Sequence, residues 1–112
     1  MDPISSATLM KALDGLSVRA AATAENIANA GSADFRPVRV RFEEALAAAA
    51  KQGRQAVNGV QPVVETDPTV PAGVRLDLEL ATASETALRY SALTDLLGRQ
   101  LQMHSIAVTG SR

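Results

Sequence analysis

Glycine and proline recur so densely between Gly53 and Gly73 that neither a helix nor a central strand can continue through this segment. Six of its 21 residues are glycine or proline. Glycine adopts backbone conformations that other residues avoid, and proline lacks the amide hydrogen that both helices and sheets use. We therefore predict a flexible or extended linker. Four valines in it could pair as a short strand if a partner supplied an edge: Val60, Val63, Val64 and Val70.

The segment before residue 31 predicts one long helix over residues 3–30. Its apolar residues recur at steps of three and four, which places them in one stripe along a single helix face. Asp2 can cap the first turn, Pro3 suits the first helical position, and Gly31 is expected to stop the helix. The stripe consists of Leu9, Leu13, Leu16, Ala20, Ala24 and Ile27.

Two short elements are predicted between this helix and the linker. Val38, Val40 and Phe42 alternate with arginines, and this two-residue period indicates an extended segment with one apolar face. Residues 43–52 (EEALAAAAKQ) have the propensity of a short helix, which Gly53 should end.

The last segment, residues 77–112, predicts a second long helix that runs from Asp77, as its cap, to about Val108, with Gly110 beyond its end. It has two apolar strips, and one partner helix cannot cover both. The first strip has a seven-residue repeat and contains Leu80, Ala83, Ala87, Tyr90, Leu97 and Leu101. The second strip contains Leu88, Leu93, Leu96, Met103 and Ile106.

The predicted fold is mainly α, with two long, coiled-coil-like terminal helices and an irregular, partly extended middle segment. Residues 1–30, 31–76 and 77–112 are expected to form one domain. The chain has 21 alanines but only two phenylalanines and one tyrosine. Because aromatic side chains bury the most area, such a chain favours closely packed helices over a large filled core.

Composition also limits the function classes. The net charge is −1 and neither sign is gathered into a tail, so nucleic acid is not an expected partner. The absence of cysteine excludes disulfides, thiolate ligands and thiolate nucleophiles. The sole histidine, His104, lies on an apolar seam without a second histidine or a nearby acid, so burial is favoured over a catalytic or metal role. We expect no enzyme activity, cofactor or metal.

One basic cluster is formed by Arg36, Arg39 and Arg41. No glycine-rich cradle or aromatic platform accompanies it, so a solvated face, or pairing with acids of a neighbouring subunit, is favoured over phosphate binding. The sequence shows no secretory signal and no apolar run of about 18 residues, so we expect a chain that does not span a membrane.

Three stretches resemble flagellar axial proteins. Residues 24–30 (AENIANA) resemble the asparagine-rich signature N-I-A-N-A of rod, hook and hook-filament junction proteins. Residues 35–46 (FRPVRVRFEEAL) are similar to the family's aromatic-basic segment that leads into F-E-E-A-L. Residues 76–79 (LDLE) and 85–93 (ETALRYSAL) resemble the V-D-L-E and N-A-L-R-Y-Q-A-L pattern of proximal rod proteins.

This resemblance to the flagellar basal-body rod protein family implies a structural subunit that is exported through the flagellar type III apparatus without a cleaved signal. Such subunits stack helically in the periplasmic rod, which transmits torque. The implied partners are copies of the chain, other rod and basal-body components, and the export apparatus. The predicted assembly interface consists of Leu9, Leu13, Leu16, Asn26, Ile27, Asn29, Leu80, Ala87, Tyr90, Leu93, Leu97 and Leu101.

Several alternatives stay open at this point. The chain could be a sister rod protein, a helical adaptor or export chaperone that forms a stable dimer, or a small regulatory enzyme subunit that uses His104. Asn26 and Asn29 have two interpretations. They either end the first helix and do nothing more, or they also shape a contact between subunits.

Overall fold

The computed structural model describes residues 1–110, which form a mainly α-helical molecule of 63 × 26 × 13 Å. The prediction of two long terminal helices with a short, mixed middle segment is confirmed. The elements in chain order are α1 (Pro3–Ala28), β1 (Val38–Arg41), α2 (Glu43–Ala50), α3 (Arg54–Asn58), β2 (Val63–Thr66) and α4 (Leu76–Gly110).

Helix α1 begins as predicted and ends earlier than predicted. The Asp2 carboxylate accepts a hydrogen bond of 2.7 Å from the Ser5 N–H, and Pro3 is the first helical residue. The expected stop at Gly31 is wrong. Asn29 follows the last helical residue. The Glu25 carbonyl accepts hydrogen bonds from both the Asn29 backbone N–H, at 3.1 Å, and the Asn29 Nδ2, at 2.8 Å, so the Asn29 side chain reinforces the last turn. Gly31 has no positive φ.

The middle segment is more regular than the sequence predicted. Helix α2 ends at Ala50, and Gly53 adopts a φ of 120° that allows the chain to turn into α3. The prediction of an uninterrupted linker from residue 53 is therefore wrong. Helix α3 forms in this segment because Val57 is fully buried and holds the helix against the core.

Strand β2 pairs antiparallel with β1, so β1 supplies the edge that the valines of the linker required. The register aligns Val38 with Thr66 and Val40 with Val64. Val60 and Val70 lie outside the strand.

Helix α4 differs from the prediction at both ends. It begins at Leu76, so Asp77 lies inside the first turn, where its carboxylate accepts from the Arg75 guanidinium at 3.0 Å. It also continues through Gly110, so the predicted end near Val108 is wrong. The last two residues of the predicted segment, 111–112, lie outside the described residues.

Helices α1 and α4 pack antiparallel. The Met1 amino group donates to Gln100 Oε1 at 3.1 Å, while Asn26, at the opposite end of α1, bonds to Glu79. The main core lies where α1 meets β1, α2 and α3. Its buried members are Leu16, Ala22, Val40, Phe42, Leu46, Ala49 and Val57.

Gly15 is required by this core. The Phe42 ring packs directly over it, and a Cβ at this position would lie 2.6 Å from three ring carbons. Because real contacts are not that short, the absence of a side chain on α1 makes room for the aromatic ring.

Candidate assembly interface

Asn26, in the last turn of α1, connects that helix to the sheet. Its Nδ2 donates to the Val38 carbonyl at 2.9 Å, and its Oδ1 accepts from the Val38 N–H, also at 2.9 Å. This pair of bonds is the one that a neighbouring strand would make with Val38. The same Nδ2 donates to Glu79 Oε2 at 3.0 Å. The side chain is only 1% exposed, so it holds α1, β1 and α4 together from inside the molecule.

Glu79 is the buried acid at the start of α4. Its side chain is 1% exposed, yet both carboxylate oxygens have partners, since Arg39 approaches Oε1 at 2.8 Å and Asn26 binds Oε2. Breaking such a pair leaves a buried charge without compensation, which is strongly destabilising. The residues predicted from the sequence for the assembly interface did not include Glu79. Its spacing of four and seven residues from Ala83 and Thr86 marks the face of α4 that packs on α1.

A second ion pair joins α1 to α2. The Arg19 guanidinium binds both Glu43 carboxylate oxygens, at 2.6 and 2.7 Å, and donates to the Val40 carbonyl at 2.7 Å. Its carbon lies 4.9 Å from the centre of the Phe42 ring. The hydrogen bonds from Arg19 lower the pKa of Glu43, and the bonded carboxylate in turn raises the pKa of Arg19.

The predicted interface residues of α1 are largely covered by the chain itself. Leu9, Leu16 and Asn26 are buried. The expectation that the α1 stripe needs another molecule to cover it therefore does not hold for these three side chains. Leu13, Ile27 and Asn29 are half-buried, so they could still contribute to a contact.

The predicted interface residues of α4 are mostly at the surface. Leu80, Ala87, Tyr90 and Leu101 are exposed, whereas Leu93 and Leu97 are half-buried against the rest of the molecule. Among the described residues of this 35-residue helix, only Glu79 and Thr86 are buried.

The three most exposed large apolar side chains of α4, Leu88, Ile106 and Met103, belong to the second predicted strip. Leu88 is 73% exposed and Ile106 is 64% exposed. We call Leu88, Leu96, Met103 and Ile106 the outer strip, and all four are exposed. Because water-exposed leucine and isoleucine in such a row are uncommon in a monomer, the outer strip is the candidate contact surface.

A shallow groove of about 560 Å³ lies between α1 and α4, and no residue of the outer strip lines it. Ser17 and Ala20 line it from α1, and Ala83, Ala87 and Tyr90 line it from α4. Small side chains on both walls allow another helix backbone to approach closely. Three of the predicted interface residues, Leu16, Ala87 and Tyr90, thus line one groove.

The arginine cluster has partners inside the chain. Arg36 donates to the Val70 carbonyl at 2.6 Å, Arg39 pairs with Glu79, and Arg41 pairs with Glu65 at 2.6 Å. All three arginines therefore have a partner within the chain and do not require acids of another subunit.

His104 is exposed near the end of α4, in a shallow depression that Met1 and Met103 also line. Its own chain does not bury this histidine, so the expected burial stays a prediction for an interface with another molecule. Within residues 1–110, no three histidine, aspartate or glutamate side chains are grouped so that they could hold a metal ion.

No protein-family model and no curated protein matches this chain. Among the helices of residues 1–110, none combines the length and the apolar character that crossing a bilayer requires.

Proposed function

We propose that this chain is a structural subunit of the bacterial flagellar basal-body rod, most like the proximal rod proteins, and that it polymerises through its terminal helices. The three sequence stretches that resemble rod proteins support this proposal. In this role the chain would be exported through the type III apparatus without a cleaved signal, and it would contact copies of itself and other rod components in the periplasm.

The observation that carries the proposal is the exposure of α4. The first part of α4 packs on α1, but every residue from Leu101 to Gly110 is exposed. This end of the helix buries little against its own chain, and tertiary packing supplies most of a helix's stability. Full burial of an exposed leucine or isoleucine is worth about 1.5–3 kcal/mol. Covering the outer strip in an assembly would thus stabilise both the helix and the contact.

The buried Asn26 is a second support. It falls in the stretch that resembles the asparagine-rich signature. Its hydrogen bond to Glu79 joins α1 to α4, and its two bonds to Val38 join α1 to β1. A fixed orientation is what a subunit needs if the outer strip is to meet the same surface on every neighbour.

Paired variants test the role of the outer strip. Leu88→Gln with Leu96→Gln removes two of its apolar side chains, whereas Val70→Gln with Ala72→Gln removes two exposed apolar side chains outside both terminal helices. We expect sedimentation velocity to show concentration-dependent growth of large species for the unchanged chain and for the control pair, and at least tenfold weaker association for the outer-strip pair. Circular dichroism should confirm an unchanged fold in both.

The same variants separate the proposal from an adaptor or export chaperone. Such a protein would stop at a defined dimer instead of growing with concentration. In a flagellated bacterium that lacks its own copy, the outer-strip pair should be expressed without restoring swimming, while the control pair restores it. The proposal is contradicted if the unchanged chain is monomeric at all concentrations and neither pair of substitutions changes its sedimentation or its ability to restore swimming.

A further inference from the structure

The two edges of the β1–β2 sheet differ in whether their backbone groups have hydrogen-bond partners. The outer edge of β1 is closed by side chains of α1. Asn26 bonds both the N–H and the carbonyl of Val38, and Arg19 donates to the Val40 carbonyl. No further strand can add on this side.

The outer edge of β2 is open. Because Val38 and Val40 direct their backbone groups toward α1, the alternate residues Arg39 and Arg41 direct theirs toward β2. The register pairs these two arginines with Glu65 and Val63.

Val64 and Thr66 therefore direct their N–H and carbonyl groups away from the sheet. Between residues 1 and 110 no hydrogen bond uses these four groups. All four strand residues are exposed, and Val64 is 52% exposed. An unpaired row of backbone donors and acceptors is complementary to another extended backbone.

We propose that a second copy of this chain occupies this edge, with β2 pairing antiparallel to the β2 of the second copy about Val64. In this register each Val64 faces its own counterpart, and the two exchange N–H to carbonyl hydrogen bonds. On the face that carries Val40, the pairing produces a row of four valines, two from each copy.

Charge also fits this register. Glu65 lies opposite Val63 of the second copy, so the new junction brings no like charges directly opposite each other, an arrangement that would be destabilising. On the other face, the row consists of Arg39 and Glu65 of one copy, followed by Val63 and Arg41 of the second copy. The strand is thus complementary to itself.

This contact goes beyond the proposed function. A twofold pairing uses the same surface on both copies and closes on itself, so it makes a pair and not a filament. In this register only residues 63–65 of the two strands face each other, and Thr66 faces Pro62 of the second copy, which has no N–H to donate. The contact is therefore far smaller than the roughly 1,200 Å² that stable interfaces bury. We therefore expect a weak dimer, with a dissociation constant of about 0.1–1 mM.

Proline at position 64 tests the pairing selectively. The Val64 N–H faces the open edge, so Val64→Pro removes the donor for the second copy and leaves the β1–β2 hydrogen bonds in place. Val64→Thr is the control, since threonine keeps the N–H and the branched Cβ. Both are made in the full chain carrying Leu88→Gln and Leu96→Gln, which removes association through the outer strip.

Analytical ultracentrifugation up to roughly 1 mM should show a dimer for the background chain and for Val64→Thr, and about tenfold or greater weakening for Val64→Pro. Hydrogen exchange should slow at the Val64 amide as concentration rises, and this measurement on the unsubstituted strand decides the matter if Val64→Pro does not fold. A background chain that stays monomeric with a concentration-independent Val64 amide overturns the proposal. So does a dimer that a folded Val64→Pro chain forms equally well.

Discussion

Replacing Asn26 with alanine should be among the most destabilising polar substitutions in the chain. The change removes hydrogen bonds to the Val38 carbonyl, the Val38 N–H and the Glu79 carboxylate, all within a site that is 1% exposed. A typical hydrogen bond contributes about 1 kcal/mol net, and a buried group left without a partner costs about 1–3 kcal/mol. We expect the free energy of unfolding to fall by roughly 3–5 kcal/mol, a large share of the ~5–15 kcal/mol typical of a domain.

Asn29 provides a matched control three residues away. Its side chain makes one hydrogen bond, to the Glu25 carbonyl, at the exposed end of α1. Asn29→Ala should therefore cost only about 0.5–1 kcal/mol. Urea unfolding followed by circular dichroism, in dilute monomeric solution, measures both. Equal losses for the two variants would refute the argument that Asn26 is the structural junction.

Three further outcomes follow from individual contacts. Gly15→Ala should destabilise the chain by about 1–3 kcal/mol, because a Cβ would collide with the Phe42 ring, whereas Gly98→Ala meets no atom within 4 Å and should stabilise α4 by about 0.5–1 kcal/mol. Thermal melts compare the two. Arg19 lowers the pKa of Glu43 below its usual 4.5, so this pair stabilises the fold at neutral pH and loses that contribution as the pH falls through the lowered value. Glu43→Gln should flatten the acid limb of the stability curve, and added salt should weaken the difference.

The periodic parts of the chain were predictable from the sequence. Helix α1 and helix α4 follow from apolar residues at steps of three and four, and the start of α1 follows from Asp2 and Pro3. Strand β1 follows from its two-residue alternation. These signals are local, so no tertiary information is needed to read them.

The failures are tertiary in origin. Helix α3 forms in a segment rich in glycine because Val57 finds a buried site, which depends on residues far along the chain. Glu79 is an acid between two leucines, and nothing local predicts its burial. Asn26 and Arg39, which are far from it in the sequence, bind its two carboxylate oxygens. The α1 stripe was expected to need other molecules, yet β1, α2 and α3 supply much of its cover.

Accessibility of the outer strip before and after assembly tests the central claim most directly. The chain has no cysteine, so Leu96→Cys and Ser32→Cys each introduce a single thiol at an exposed position, one in the outer strip and one in the turn after α1. The rate of thiol labelling is measured in dilute monomer and in concentrated, assembled protein. The account predicts that assembly slows labelling at position 96 at least tenfold and leaves position 32 nearly unchanged. Equal labelling of position 96 in both states would contradict it.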